Sequence, residues 1–232
     1  AARRAAGVLP HGVVGECLYM QTCRQVEDFV RKTRPYVAGP SMEPRGVNLR
    51  LSDIELWGEL NSIYPHGLVY WRYATLKAKD QLRAWIHHLV AQAAADPSRD
   101  AMVIGLEKKN GGRQWAGIQF DCVREADRLL EDLLRIYEMG LVRAIPFFPE
   151  TSWVYAYSFL EKAAGAKAAL AAADRVWTSN VHYRGEGEDP YYRLCFGKGH
   201  PLDGEFEELA VAVFEPLLRH RRVIGPDKGE RG

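Results

Sequence analysis

The hydrophobic period of this chain switches from two to 3.6 within one short stretch, and that switch limits the folds open to it. In Asp53 to Asn61, Ile54, Leu56 and Leu60 alternate with Asp53, Glu55, Glu59 and Asn61. Successive side chains of a strand point to opposite faces, so this is the pattern of a half-buried strand. Pro65, His66 and Gly67 supply a turn, and Leu68 to Tyr73 is rich in aromatic and β-branched residues, which predicts a second strand. From Lys77 to Ala95 the apolar residues fall at helical spacing: Leu82, Trp85, Ile86, Leu89, Val90 and Ala93. Two strands leading into an amphipathic helix exclude an all-helical or an all-β chain. The fold class is mixed α/β with a small sheet.

The flanking segments extend this reading. A helix is predicted from Val13 to Arg34, with Val26, Phe29 and Val30 as its apolar stripe; it stops at Pro35, which disfavours helical geometry in the residue before it. The Pro- and Gly-rich VAGPSMEPRG is a connector. Ala101 to Glu107 and Gln114 to Phe120 read as a hairpin around Lys108-Lys109-Asn110-Gly111-Gly112. Asp121 is the expected N-cap of a helix carrying Ala126, Leu129, Leu130, Leu133, Leu134 and Tyr137 and stopped by Gly140. Further helices are expected over Ser152 to Ala173, with Trp153, Ala156, Tyr157 and Leu160 in the core, and over Gly204 to Arg219, kinked or split at Pro216. The expected organisation is one domain over residues 1–222: an N-terminal helix and connector (1–46), a sheet-and-helix core (47–140) and a helical C-terminal part (141–222). Residues 223–232 are expected to be a flexible tail.

Charge gives no global pull toward a polyanion. There are 31 basic and 30 acidic residues, a formal net charge of +1, so any contact with nucleic acid must come from local patches. No stretch approaches the length of an apolar membrane span. The opening AARRAAGVLPHG lacks both an initiator Met and a signal-peptide core, as expected of a cut inside a longer protein. Cys17, Cys23, Cys122 and Cys195 are scattered without zinc spacing and read as reduced thiols of a cytoplasmic protein. His87 and His88 point about 100° apart on a helix, which suits a solvated face better than a metal site.

The segment WGELNSIYPHGLVYWRYATLKAKDQLRAWIHHL, Trp57 to Leu89, resembles the core of the restriction-endonuclease-like PD-(D/E)XK nucleases found in helicase–nuclease proteins. The resemblance implies a restriction-endonuclease-like α/β core with a small mixed sheet, flanking helices and a helical C-terminal part. It sets Asn61 at the first acid, Tyr70 at the second, Arg72 at the lysine, and Gln81 to Trp85 at the Gln-x-x-x-Tyr helix motif. Hydrolysis of this type needs carboxylates to hold Mg²⁺ beside an attacking water. Asn61 carries no charge, Tyr70 is a neutral phenol at pH 7, and Arg72 stays protonated. The expectation is therefore a domain with no catalytic residues, metal or cofactor. A displaced acidic cluster of Asp53, Glu55 and Glu59 is the alternative, and would make the chain a free-standing Mg²⁺-dependent DNA nuclease. Otherwise Glu55 or Glu59 pairs with Arg72.

The opening LPHGVVGE (Leu9 to Glu16), LVYWR, YRGEGEDPYYRL (Tyr183 to Leu194) and the closing FEPLLRHRR occur in one order. Together they resemble the C-terminal region of the exodeoxyribonuclease V gamma subunit family (RecC). This resemblance covers nearly the whole chain. It implies a non-catalytic scaffold and DNA-handling domain of a RecBCD-type helicase–nuclease complex in recombinational double-strand break repair. The implied partners are the alpha and beta subunits and duplex or forked DNA, with no membrane.

Two cationic groups are candidates for phosphate contact. Lys108, Lys109 and Arg113 tip the hairpin with Trp115 behind them, and Lys77, Lys79 and Arg83 open a helix, where cations oppose the helix dipole unless an anion is near. Both groups also fit solvated faces. In RGEGEDPYYR, Gly185 and Gly187 allow unusual backbone turns, while Arg184, Glu186, Tyr191 and Tyr192 are candidates for contact with a partner subunit. Glu186, Glu188 and Asp189 lack a further ligand and a strand context for a metal.

Overall fold

A computed structural model describes residues 12–94, 100–109, 111–197 and 199–225. Asn110, the start of the LPHGVVGE segment (9–11) and residues 226–232 of the expected tail lie outside the described residues. The first helix, α1 (Val13–Thr33), begins with Glu16 in its first turn and ends with Arg31 and Lys32, charges that complement its dipole. Its stripe is narrower than the sequence predicts: Phe29 is buried, but Val30 faces outward.

A two-stranded ribbon follows, of which the sequence predicts only the second strand. Strand β1 (Arg45–Leu51) pairs antiparallel with β2 (Ile54–Leu60) over its whole length, turning through Ser52 in the left-handed region (φ 50°). Val47 and Leu51 of β1 and Leu60 of β2 point into the core. These two strands form their own sheet.

The main sheet has five strands in the order β3–β4–β5–β6–β7: β3 (Ile63–Tyr64), β4 (Gly67–Thr75), β5 (Ala101–Lys109), β6 (Gly112–Phe120) and β7 (Arg221–Ile224). Only β4 and β5 are parallel, and α2 (Ala78–Ala93) makes the crossover between them. Gly67 opens β4 at φ +129°, where a β-carbon would overlap the Asp100 carbonyl. That carbonyl accepts from the Leu68 N–H at 2.9 Å, so glycine is what lets the two strands start side by side.

Both faces of the sheet are covered, which explains why β5 is buried along Ala101 to Leu106 without alternation. On one face, Leu68, Val103, Ile118 and Phe120 meet Trp85 and Leu89 of α2 and Phe214 and Leu217 of α7 (Gly204–Arg219). On the other, Val69, Met102, Ile104 and Trp115 meet Phe29 of α1. Trp115 stacks on Tyr36 at 5.6 Å and donates its indole N–H to Thr33 Oγ1.

The C-terminal helices close a second apolar centre. Helices α3 (Ala126–Val142), α4 (Pro149–Leu160), α5 (Ala166–Trp177) and the short α6 (Pro190–Phe196) precede α7. Phe148, Tyr155, Ala169, Ala173, Trp177, Phe206 and Ala210 pack together there.

Four expectations are corrected. The helix expected over Ser152 to Ala173 is two helices, broken between Leu160 and Ala166. The third helix starts at Ala126 behind Glu125, not at Asp121, whose N–H instead bonds the His220 carbonyl; it also runs past Gly140 to Val142. Pro216 lies inside α7 without splitting it. Val223 and Ile224, placed in the tail, pair with Ile118 and Gly117 in β7.

Candidate functional site

Three of the residues singled out by the nuclease resemblance, Asn61, Tyr70 and Arg72, meet in one cleft. Extending the β3–β4 register sets Asn61, in the link after β2, opposite Tyr70. Tyr70 and Arg72 share the face of β4 that looks toward α2. Asn61, Tyr70, Arg72, Asp80, Arg83 and His87 line one cleft of about 280 Å³. The Tyr70 hydroxyl lies 2.6 Å from His87 Nδ1 and 3.4 Å from the Asn61 carbonyl oxygen. The tautomer of His87 sets which of the two groups donates in the shorter contact. Burial pushes the Tyr70 phenol up to about 12 and pushes the His87 imidazole down, with the Arg83 charge adding to the second shift. At neutral pH both are uncharged.

Arg72 is salt-bridged to Asp80, whose other contact is the Lys77 N–H at 2.9 Å. Among the described residues Asp80 is the cleft's one carboxylate, and Arg72 neutralises it. The two remaining nuclease-aligned positions look elsewhere. Gln81 is buried and accepts from Arg221 Nη1 at 3.4 Å, and Trp85 is 1% exposed in the core.

The displaced acidic cluster does not form over this cleft. Glu55 and Glu59 belong to the separate β1–β2 ribbon, where Glu55 faces Arg50 and accepts from the Trp57 indole at 3.2 Å. Asp53 lines a different recess with Glu131 and Glu138 of α3. Neither Glu55 nor Glu59 pairs with Arg72; Asp80 does.

The RGEGEDPYYR loop is tied into the fold by carboxylate caps in series. Glu186 accepts from the backbone N–H of Glu150 at 3.2 Å and of Thr151 at 2.7 Å, and from the Thr151 hydroxyl at 2.7 Å. These are orphan donors at the start of α4, where a negative charge is favoured. Glu150 in turn accepts from the Ala78 N–H at the start of α2, at 3.0 Å. Burial and the nearby Glu186 raise the Glu150 carboxyl. Lys77, Lys79 and Arg184 share the adjoining recess of about 490 Å³ with both carboxylates and with Tyr192. Tyr192 packs its ring on Phe148 at 4.8 Å, and burial lifts its phenol to about 12. Tyr191, by contrast, is 77% exposed.

Residues 1–159 match the family described as RecC C-terminal domain. The chain belongs to that family. It is 24% identical over 226 residues to the RecBCD enzyme subunit RecC of Escherichia coli (strain K12), covering 93% of this chain and 19% of that protein. It is also 24% identical over 104 residues to the RecBCD enzyme subunit RecC of Buchnera aphidicola subsp. Schizaphis graminum, 44% of this chain and 10% of that protein. The chain thus spans about a fifth of the length of the Escherichia coli RecC it matches.

Within this RecC-family chain the hairpin tip is exposed, with Lys108 opposite Arg113 in the ladder. Trp115 is core and offers no face to a nucleobase. The histidine pair is not a solvated face either. His87 belongs to the cleft, and His88 is fully buried between Trp85 and Phe120, bonded through Nε2 to the Asp121 carbonyl at 3.0 Å. Its Nδ1 has no hydrogen-bond partner among the described residues.

Burial lowers the His88 imidazole against the opposing pull of that carbonyl bond. The folded state therefore binds fewer protons than the unfolded chain below the ordinary histidine value of about 6.5. The stability from a neutral His88 is fully present above that value and is lost as pH falls toward the lowered one. Urea midpoints are expected to drop between about pH 7.5 and 5, and to drop less in His88→Gln. Equal pH slopes in both proteins would contradict a buried neutral His88.

Proposed function

We propose that this chain is a non-catalytic scaffold and DNA-handling domain of a RecBCD-type exodeoxyribonuclease V complex, acting in the cytoplasm in recombinational double-strand break repair. Its core is read as a PD-(D/E)XK fold that has lost its chemistry. The observation that carries this reading is the cleft where Asn61, Tyr70 and Arg72 converge around Asp80, a carboxylate that Arg72 already neutralises. Mg²⁺ is held by several hard anionic oxygens, and phosphodiester hydrolysis by metal-activated water starts from such a set. Family membership and the similarity to the RecBCD enzyme subunit RecC of Escherichia coli support a place in the assembly.

The partners are then the alpha and beta subunits and duplex or forked DNA. Arg184 and Tyr191 are the outward members of the loop proposed to meet a partner, whereas Glu186 and Tyr192 hold its shape from within. Lys108, Lys109 and Arg113 are proposed phosphate contacts of the hairpin, and Lys77, Lys79 and Arg83 those of the α2 start.

Co-expression with the two other subunits tests the reading. The expected result is co-purification of this chain with them, and no cleavage of labelled linear or single-stranded DNA by the chain alone in Mg²⁺ or Mn²⁺. Cleavage that Glu59→Ala abolishes would restore the displaced active site. Failure to co-purify would remove the scaffold role.

A further inference from the structure

We propose that the cleft between β4 and α2 binds the sugar-phosphate backbone of a single DNA strand, which runs along the Lys79–Arg83–His87 face of α2. The proposal rests on the DNA-handling reading above and adds the site, the strandedness and the residues.

Lys79, Arg83 and His87 recur at intervals of four, so they lie one above another on a single helix face. From Lys79 to His87 that face is about 12 Å long at 1.5 Å per residue, enough to meet more than one phosphate of a strand. Its lower end opens at the start of α2, and its upper end is the cleft holding Tyr70 and Asn61. The cations at the helix start and the residues aligned with the emptied nuclease centre thus belong to one surface. In the sequence they looked like two.

Charge and hydrogen-bonding capacity point to an anion. Asp80 is engaged by Arg72, while among the described residues neither Lys79 nor Arg83 makes a salt bridge. Both are exposed. Arg72 directs one nitrogen, Nη2, at Asp80 and the Thr75 carbonyl, so most of the donors of its half-exposed guanidinium stay open. The Asn61 side-chain amide, also exposed, offers two more. The cleft is rich in donors and poor in acceptors, and the Glu150, Glu186 and Asp189 carboxylates at the lower end are engaged by backbone N–H groups. The cleft, about 280 Å³, is recessed between β4 and α2. A flexible single strand can bend its backbone into such a recess, whereas a duplex, stiff over a persistence length of ~150 bp, follows it poorly.

Fluorescence anisotropy with labelled oligo-deoxythymidine and a blunt duplex of the same length, using the 232-residue chain, tests this. Lys79→Ala/Arg83→Ala is the main variant because both side chains are exposed and outside any salt bridge among the described residues, and circular dichroism checks its fold. The wild-type chain should bind the single strand saturably at low salt and more tightly than the duplex. The double variant should bind at least about tenfold more weakly, with a salt slope shallower by about 1.4, or ~0.7 for each phosphate no longer neutralised. A folded double variant with unchanged affinity and slope overturns the proposal, as does preference for the duplex or absence of saturable binding by the wild type. Any of these with co-purification intact removes the strand track alone and leaves the place in the complex standing.

Discussion

Replacing Trp85 by alanine is expected to destabilise the protein by about 3–5 kcal/mol, the usual range for truncating a buried aromatic. The indole is 1% exposed, with the rings of Phe120, His220 and His88 centred 5.4, 5.6 and 5.8 Å away. Those neighbours come from β6, the end of α7 and α2 itself, and each is fixed by other contacts, so the cavity has little scope to collapse. Urea unfolding followed by circular dichroism measures the loss. Arg83→Ala, two residues earlier on the cleft side, should stay within about 0.5 kcal/mol of wild type. If Trp85→Ala were equally mild, the indole could not be the keystone of the α2–sheet packing, and the orientation of α2 described above would be wrong.

Gly185→Ala is expected to cost about 3 kcal/mol or more, for a different reason. Its φ is −66°, so backbone freedom is not the issue. A β-carbon at Gly185 would overlap the Trp177 carbonyl oxygen and come within 2.6 Å of the Thr178 carbonyl carbon. Backbone cannot rotate away as a side chain can. The loop would lift, pulling Glu186 off the start of α4. Gly165→Ala is the matched control: it is the N-cap of α5, nothing lies within 4 Å, and alanine there should lose no more than about 1 kcal/mol. Thermal or urea midpoints of the pair give the comparison, and similar losses at both positions would refute the close approach at Gly185.

What could be read in the sequence was whatever depends on periodicity. The strand at Ile54 to Leu60, the helix from Ala78 and the hairpin with Lys108 opposite Arg113 all follow from spacing alone. Strand β1 carries the same alternation in Val47, Leu49 and Leu51, but a connector rich in Pro and Gly ran into it and hid its start. The break between α4 and α5 was missed because Gly165 and Ala166 sit amid alanines that keep helical propensity high. The site was half legible. Asn61, Tyr70 and Arg72 were placed by resemblance, but local pattern could not give the Arg72–Asp80 pair, the Tyr70–His87 contact or the burial of His88. Those arise where β4 meets α2, across chain separations that no window of a few residues spans. Glu186 reads in the sequence as a candidate for partner contact; its role as a cap depends on an α4 start 35 or 36 residues away.

The placement of β7 has a consequence for how such a chain is made. It pairs with β6 more than a hundred residues after that strand is finished, and α7, just before it, supplies Val213, Phe214, Leu217 and Leu218 to the core around Trp85. A polypeptide leaving the ribosome from its N-terminus therefore presents this face of its sheet covered by α2 but still lacking the α7 side chains until α7 has emerged. Contacts of such long separation fold slowly, and apolar surface still waiting for α7 invites aggregation in the interval. Vectorial synthesis leaves this domain a late closer, with its last helix and strand acting as a lid drawn over a core assembled long before.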